Sequence, residues 1–408
     1  MSTENKITKS KNILYVLYEN ENTLPEELQY LINNFCGEVV HGFEKVNVLP
    51  REKRIYVCGD VERMKNGNQT LFIIKEFSFN YEKCNAEKIR FVELGEVPII
   101  IENAGVYFRC LFKENNYFGK IENEHKFQHL TESNKPGKAL RKGIYLTNVE
   151  KEITVEQKEI LHFRLLRCSS NLTGPTDNFR ETDREINARI NEAANLVFEK
   201  EPKLNHVLAQ IYLNKREVGE KIKETKAKIK AHSDKTKDML DEGLIAFCTF
   251  YDSSNFEKLK PSGADRFDKV YKKTSGLTRL HFKLKKSVED DTLAKEFTIV
   301  LYPNSVFLIP LSTNRLYTHE TRPSMLDIDM IPIRMGYVVR SSKAEALFMD
   351  HQTYLKEGGG LVKLEDMSEG SMASLKNAYY EENKTENIVE YGKVHFSMNM
   401  GDYQKPIY

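Results

Sequence analysis

The chain has no tryptophan, no C-x-x-C pair, no long apolar run and almost no net charge over its 408 residues. Its six cysteines (Cys36, Cys58, Cys84, Cys110, Cys168, Cys248) are scattered. That spacing excludes a zinc ribbon or a dense disulfide framework, suits a reducing compartment, and leaves the cysteines as small buried hydrophobes. No stretch approaches the roughly 20 apolar residues a membrane span needs. The opening MSTENKITKSKN lacks the apolar core of a signal peptide. The expectation is therefore a cytoplasmic or nuclear protein, not secreted and without a membrane partner. With 61 basic and 60 acidic residues and a formal charge of +1, no whole-molecule field draws a polyanion, and any such surface must be local. The missing tryptophan excludes nothing about function.

What is present is a soluble globular composition, 40% hydrophobic and 30% charged, long enough for about two or three domains. Residues 1–12 read as a disordered tail. Over 13–120, short β-rich runs (ILYVLY, RIYVCGD, TLFIIKEFSF, IRFVELG) surround one helical period, LPEELQYLINNF, which predicts a small α+β domain without a catalytic motif. A polar bridge around Lys135-Pro136-Gly137 follows. The segment 183–200 predicts an amphipathic helix with Ile186, Ile190, Ala194 and Val197 on one face. LNHVLAQIYLN is ambiguous between strand and helix.

From Lys228 the pattern is β. Seven short runs (IKAHSD, LIAFCTFY, LTRLHFKLKK, EFTIVLY, SVFLIPLS, RLYTHE, IRMGYVVRSS) follow within just over a hundred residues, mostly separated by turn residues. That density predicts a sandwich or jelly roll. Residues 346–408 read as a C-terminal extension that adds a strand or lies over the core.

Five residues in this β region carry chemistry: His232 and Asp234 in IKAHSDK, His319 in RLYTHETR, and Arg334 and Arg340 in IRMGYVVR. Two imidazoles and one carboxylate on neighbouring strands can occupy one face of an Fe(II) ion and leave the other face open for a chelating co-substrate and oxygen. A guanidinium fork on the next strand suits a dicarboxylate gripped bidentately.

In this H-x-D, distal His and R-x5-R arrangement the chain resembles the 2-oxoglutarate and Fe(II)-dependent dioxygenases, and within them the AlkB-like group. The resemblance covers roughly residues 125–345. It implies a double-stranded β-helix with flanking helices behind the N-terminal α+β domain. It further implies iron held by His232, Asp234 and His319, with 2-oxoglutarate and O2 as co-substrates. Arg334 would pair with the distal carboxylate of 2-oxoglutarate; Arg340 would sit near its keto-acid end or orient Asp234. An Asn and a Tyr on the strand before H-x-D also contact the co-substrate in that group, which makes Tyr212 and Asn214 candidates. Two departures stand out. A lysine-rich insertion separates Asn214 from His232, and the spacer from Asp234 to His319 is about 85 residues, longer than is usual there. The extra length lies mainly in the polar segment 252–273, read as substrate-facing.

His281, in TRLHFKL, competes for the third ligand position, but no arginine pair follows it at the family spacing. His162 and His206 lie in apolar stretches and read as structural. The segment 215–237 is lysine-rich, and Lys221, Lys223, Lys226 and Lys228 could track a phosphate backbone. The bland alternative is a solvated loop whose charge Glu217, Glu220 and Glu224 dilute. Asn171, Thr173, Thr176, Asn178 and Arg180 could line a pocket or simply cap a helix.

The resemblance favours a modified nucleobase in DNA or RNA as substrate, single-stranded or flipped out of the duplex. The reaction would be hydroxylation, or demethylation where the carbon hangs from nitrogen. The alternatives are a thymine or methylcytosine oxidase of the base-J-hydroxylase kind, a protein or small-molecule hydroxylase, and a catalytically silent binding module.

Overall fold

The computed structural model describes residues 4–19, 24–42, 52–64, 69–82, 86–113, 116–131, 138–168, 171–220 and 222–408. Lys221 of the candidate basic rail lies outside them. The chain is mostly β. Its first unit contains β1 (Asn12–Leu17), α1 (Glu26–Asn34), β2 (Glu38–His41), β3 (Arg54–Asp60), β4 (Leu71–Phe79) and β5 (Ile89–Val92). These strands form one parallel sheet in the order β2-β1-β3-β4-β5. A parallel sheet must be covered on both faces, and β1 is buried at every position. Leu14 and Val16 pack with Leu28 and Leu31 of α1, while Ile13, Tyr15 and Leu17 pack on the other side with Ile55 and Val57.

Two boundaries differ from the sequence reading. The parallel sheet ends at Val92, and β6 (Ile99–Ile101) and β7 (Gly105–Phe108) already belong to the next unit, where β7 pairs with a strand some two hundred residues later. Nor are residues 4–11 a free tail; residues 1–3 of the expected tail lie outside the described residues. Asn5 Nδ2 donates to the Lys200 carbonyl at 2.9 Å, and the Thr8 N–H donates to the Val197 carbonyl at 2.8 Å.

The second unit continues with α2 (Tyr117–Glu124), β8 (Gln128–Thr131), β9 (Lys138–Thr147), β10 (Glu150–Ile153), β11 (Glu159–Leu165), β12 (Asp177–Asn178), α3 (Glu181–Asn195) and β13 (His206–Tyr212). There follow β14 (Lys215–Val218), β15 (Ile222–Thr225), β16 (Ile229–His232), β17 (Leu244–Tyr251), β18 (Lys260–Pro261), β19 (Lys269–Tyr271) and β20 (Thr274–Ser275). The chain goes on through β21 (Arg279–Leu284), β22 (Glu296–Val300), β23 (Ser305–Pro310), α4 (Leu311–Leu316), β24 (Tyr317–Arg322) and β25 (Arg334–Arg340). It closes with β26 (Ala344–Met349), β27 (Gln352–Glu357), β28 (Gly360–Lys363) and α5 (Glu369–Lys384).

Two sheets frame the candidate site. A large one runs β12-β9-β13-β25-β17-β23-β7-β6, with β8 on β9; a small one runs β16-β24-β21-β22. From β16 onward the chain moves back and forth between them, so neighbouring strands come from distant parts of the sequence. Period-two alternation divides the strands of the large sheet. On β17, Leu244, Ala246, Cys248 and Phe250 face outward, against Ile186, Ile190, Ala193 and Ala194 of α3, while Ile245, Phe247 and Tyr251 face the small sheet. A third sheet, β10-β11-β26-β27-β28, takes in much of the expected C-terminal extension. Among the described residues no helix is long and apolar enough to cross a membrane.

The core between the two sheets centres on Phe282, which is fully buried, stacked on Phe297 at 4.8 Å and edge-on to Phe307 at 5.7 Å. Replacing Phe282 with Ala should cost about 3–5 kcal/mol through lost transfer energy and the cavity left behind. Urea unfolding followed by circular dichroism would measure it, and a change below about 1 kcal/mol would mean the two sheets do not share this core.

Candidate metal centre

The last residue of β16 is His232, and the register of the small sheet sets it directly across from His319 of β24. The two ring centroids lie 4.5 Å apart. Just past the strand, Asp234 brings Oδ1 to 3.7 Å from Nε2 of His232 and 4.0 Å from Nε2 of His319. One potential ligand atom from each residue thus falls within 4.8 Å of the others.

Electrostatics leave these three atoms free to accept a cation. Arg340 reaches across from the large sheet and donates to Oδ2 of Asp234 from Nε at 2.8 Å and Nη2 at 2.7 Å, leaving Oδ1 toward the imidazoles. Burial alone would raise the Asp234 pKa, but Arg340 and the two histidines outweigh it and hold the carboxyl well below its usual range. Burial lowers the pKa of His232, whose Nδ1–H donates to the Lys230 carbonyl at 2.9 Å, so its lone pair sits on Nε2. Burial, helped by neighbouring His232, pushes His319 down to about 3. The centre is two neutral imidazoles and one carboxylate, packed under Phe247 and Phe282, whose rings lie 5.1 and 5.6 Å from His319.

The backbone bearing these ligands is held by a residue the sequence reading missed. Asn314 of α4, fully buried, accepts from the Asp234 N–H at 2.8 Å and donates back to its carbonyl at 2.9 Å. Nothing in LSTNRLY marks this asparagine except its place just before β24.

On the large sheet, the inward residues of β13, β25 and β17 form cross-strand rows. Arg334 lies between Tyr212 and Tyr251, Gly336 between Gln210 and Thr249, and Arg340 between His206 and Ile245. The Arg334 guanidinium sits 3.9 Å above the Tyr212 ring and is buried, yet its Nε has no hydrogen-bond partner among the described residues. Thr249 Oγ1 and Arg340 Nη1 are likewise buried without a partner. Gly336 lets the Arg334 and Tyr212 side chains pack close over the strand: a Cβ there would lie 3.0 Å from Nη1 of Arg334 and 3.2 Å from the Tyr212 ring. Among the described residues, buried polar atoms without a partner thus gather on the same inward face of the large sheet from which Arg340 reaches Asp234.

Two of the expected co-substrate residues make other contacts in the structure. Arg340 is engaged with Asp234, the second of its two expected roles. Asn214 lies past the end of β13 and its Oδ1 accepts from the Ala227 N–H at 3.1 Å, so it secures a loop. The residue that shares the inward face with Tyr212 is Gln210, whose Oε1 accepts from the Tyr212 hydroxyl at 3.2 Å.

Other expectations resolve by which way a strand faces. On β21, Leu280 and Phe282 enter the core, so His281 points outward, where Nδ1 meets Thr298 Oγ1 at 2.8 Å. His206 is buried and neutral, held down to about 3 chiefly by burial. His162 pairs with Glu152 at 2.9 Å. Arg180 precedes α3 on the outer face and pairs with Asp177 at 2.8 Å, so it does not line the centre. Asn171 meets the far edge of the large sheet, its carbonyl accepting from the Thr131 N–H at 3.4 Å.

The lysine-rich insertion is a hairpin, β14–β15. There Lys215 pairs with Glu217 at 2.6 Å, and Arg216 pairs with Glu224 at 2.6 Å and Asp329 at 2.7 Å. Lys226 Nζ donates to the Ser324 carbonyl at 3.1 Å, while Lys223 and Lys228 are exposed. The segment 252–273 contains β18 and β19 and is tied to the first unit by Arg266, whose Nε lies 3.0 Å from Glu27. A cleft of about 670 Å³ lies elsewhere, between α3 and strands β11 and β26, and none of the five candidate residues lines it.

A second group of potential metal ligands, Glu124, His125 and Asp183, lies on the outer face. Nδ1 of His125 meets Asp177 at 2.8 Å and Nε2 meets Asp183 at 2.7 Å, so both nitrogens are used. Burial would lower this pKa, but the two carboxylates outweigh it and raise it to about 9. A folded pKa above the unfolded value of about 6.5 stabilises fully below that value and is lost as pH rises through about 9. The urea midpoint should therefore fall between pH 6.5 and pH 9.5, and His125→Gln should flatten that slope. An unchanged slope would show that His125 is neutral.

No protein-family model and no curated protein matches this chain. Among solved structures it is similar to that of OsALKBH1, at 11% identity and a TM-score of 0.33, over 60% of this chain and 99% of that one. It is also similar to a bsmA homolog from Methylobium petroleophilum PM1, at 13% identity and a TM-score of 0.27, over 55% and 80% of the two chains.

Proposed function

We propose that this protein is an Fe(II)- and 2-oxoglutarate-dependent dioxygenase that hydroxylates or oxidatively demethylates a substrate C–H. One observation carries the reading. Three ligand atoms of His232, Asp234 and His319 converge within 4.8 Å, and on the facing sheet a buried Arg334 has an Nε without a partner among the described residues. We read the two sheets as a double-stranded β-helix, supported by the order β13-β25-β17-β23 facing β16-β24-β21-β22.

The donor set fits the proposed groups. Two neutral imidazoles and a carboxylate suit iron(II) with positions left open. Arg334 would take the distal carboxylate of 2-oxoglutarate, with Tyr212, Gln210 and Thr249 around its chain. Bound together, iron and 2-oxoglutarate would supply oxidation of a C–H by dioxygen, coupled to loss of CO2 from the co-substrate. The chain does the rest. Arg340 orients Asp234 and balances its charge, Asn314 fixes the backbone behind it, and Phe247 and Phe282 keep water from His319.

The purified protein should bind one equivalent of Fe(II) and release succinate from 2-oxoglutarate without added substrate; His232→Ala or Asp234→Ala should abolish both. Retained turnover in these variants, together with its loss in His281→Ala, would overturn the ligand set. Arg334→Lys keeps the charge but loses the planar fork. It should raise the KM for 2-oxoglutarate about tenfold or more, or roughly 1.4 kcal/mol. An unchanged KM would remove the co-substrate role.

For the substrate we favour a modified nucleobase in a single strand. Lys223 lies exposed on the hairpin, and Lys228 and Lys230 are exposed on the approach to His232. If three lysines meet phosphates, oligonucleotide affinity should fall by about one decade between 50 and 200 mM salt. Changing all three to Gln should flatten that dependence without affecting succinate release. An oligonucleotide that neither binds at low salt nor stimulates turnover would shift the reading to a protein or small-molecule substrate.

A further inference from the structure

The sequence between β16 and β17 bears a candidate ligand, yet its first residues lie outside any strand, so no ladder satisfies their backbone N–H groups. Ser233 and Asp234 are both buried, and a buried N–H left unmade is costly. Side chains take over. Asn314 serves Asp234, and the remaining partners come from the last turns of α5.

Tyr379, Glu382 and Asn383 stand at positions i, i+3 and i+4 of α5, so they share one face. Asn383 Oδ1 accepts from the Ser233 N–H at 2.7 Å, and its amide is fixed in that sense because Nδ2 donates to the Tyr379 carbonyl at 2.9 Å. Glu382 Oε1 accepts from the Thr236 N–H at 2.9 Å and from the Thr236 hydroxyl. Lys235 Nζ lies 4.7 Å above the Tyr379 ring. Three residues of one helix face thus hold three residues of the segment that begins between His232 and Asp234.

The same helix end is anchored to the small sheet. Lys285, just past β21, donates to the carbonyls of Glu382 at 2.7 Å and Thr385 at 2.9 Å, a cation at the helix C-terminus where the dipole favours it. The buried apolar side chains of α5, Leu375 and Tyr379, cluster with Phe396 of the following segment, and that cluster holds no residue of the two sheets that frame the centre. Docking of α5 therefore leans on the polar contacts at its C-terminal end.

We infer that α5 is part of the metal centre: Asn383 is a positioning residue for His232 and Asp234, and metal occupancy and docking of α5 stabilise each other. This rests on the metal reading above. The linkage is reciprocal because any preference of the metal for the docked arrangement is equally a preference of the docked helix for the metal-bound centre.

The test uses the full chain with Co(II) as the probe, read by absorption titration and by hydrogen exchange of the α5 amides. Asn383→Leu should weaken Co(II) binding about 10–100-fold, as loss of a group that orients a ligand typically does. Asn383→Asp retains an acceptor for the Ser233 N–H and should restore most of the affinity. In the unmodified protein, Co(II) should slow exchange in the last two turns of α5, a measurement that needs no variant. Wild-type affinity in Asn383→Leu, or α5 exchange indifferent to Co(II), would overturn the inference while leaving the ligand set standing. Failure of the unmodified protein to bind Co(II) at all would overturn both.

Discussion

The buried pair between Arg340 and Asp234 is the constraint on which the candidate site depends. It joins the large sheet to the segment leaving the small one, and both guanidinium contacts, at 2.8 and 2.7 Å, fall on one carboxylate oxygen. The other oxygen is thereby turned toward two imidazoles. A buried pair of this kind is weak evidence for stability, because desolvating both charges cancels much of their attraction. Its value lies in orientation. Removing either partner would strand the other charge, a loss of about 3–5 kcal/mol in comparable cases.

From that constraint the protonation of the centre follows. With the Asp234 charge already answered by Arg340, little remains to hold protons on the histidines, and burial drives His319 down to about 3. Neutral imidazoles beside an ionised carboxylate are what a metal needs and what bulk water at neutral pH would not guarantee. A second buried histidine shows the contrast. His125, whose two ring nitrogens each meet a carboxylate directly at 2.8 and 2.7 Å, is raised to about 9 even though Arg180 pairs with one of those carboxylates. One chain thus keeps one buried histidine free of a proton and another bearing one, and the difference lies in which charges reach the ring first.

The motif residues were legible in the sequence because their spacing follows strand order: His232 ends one strand, His319 lies on the strand paired with it, and Arg334 and Arg340 occupy the two ends of β25. The two faces of β17 were not legible, because all eight of its residues are buried and no polar alternation marks them. What was hidden is what depends on strand ends and on long-range contacts. Asn214 stands two residues after Tyr212, as Gln210 stands two before, but the strand stops at Tyr212 and only Gln210 stays on the inward face. The support from Asn314, Glu382 and Asn383 comes from segments 80 to 150 residues away, which no local pattern encodes. The parallel sheet of the first unit escaped notice because, among the described residues, its connections hold apart from α1 only short 3-10 turns at Val61–Arg63 and Ala86–Lys88, not the longer helices that usually announce parallel strands.

The claim that joins these observations is that His232, Asp234 and His319 hold iron and that Arg334 on the facing sheet takes 2-oxoglutarate. Visible absorption under anaerobic conditions tests it most directly. The account predicts a charge-transfer band when Fe(II) and 2-oxoglutarate are added together, its loss in Asp234→Ala, and its persistence in His281→Ala. No band in the unmodified protein, or a band that survives in Asp234→Ala, would contradict it.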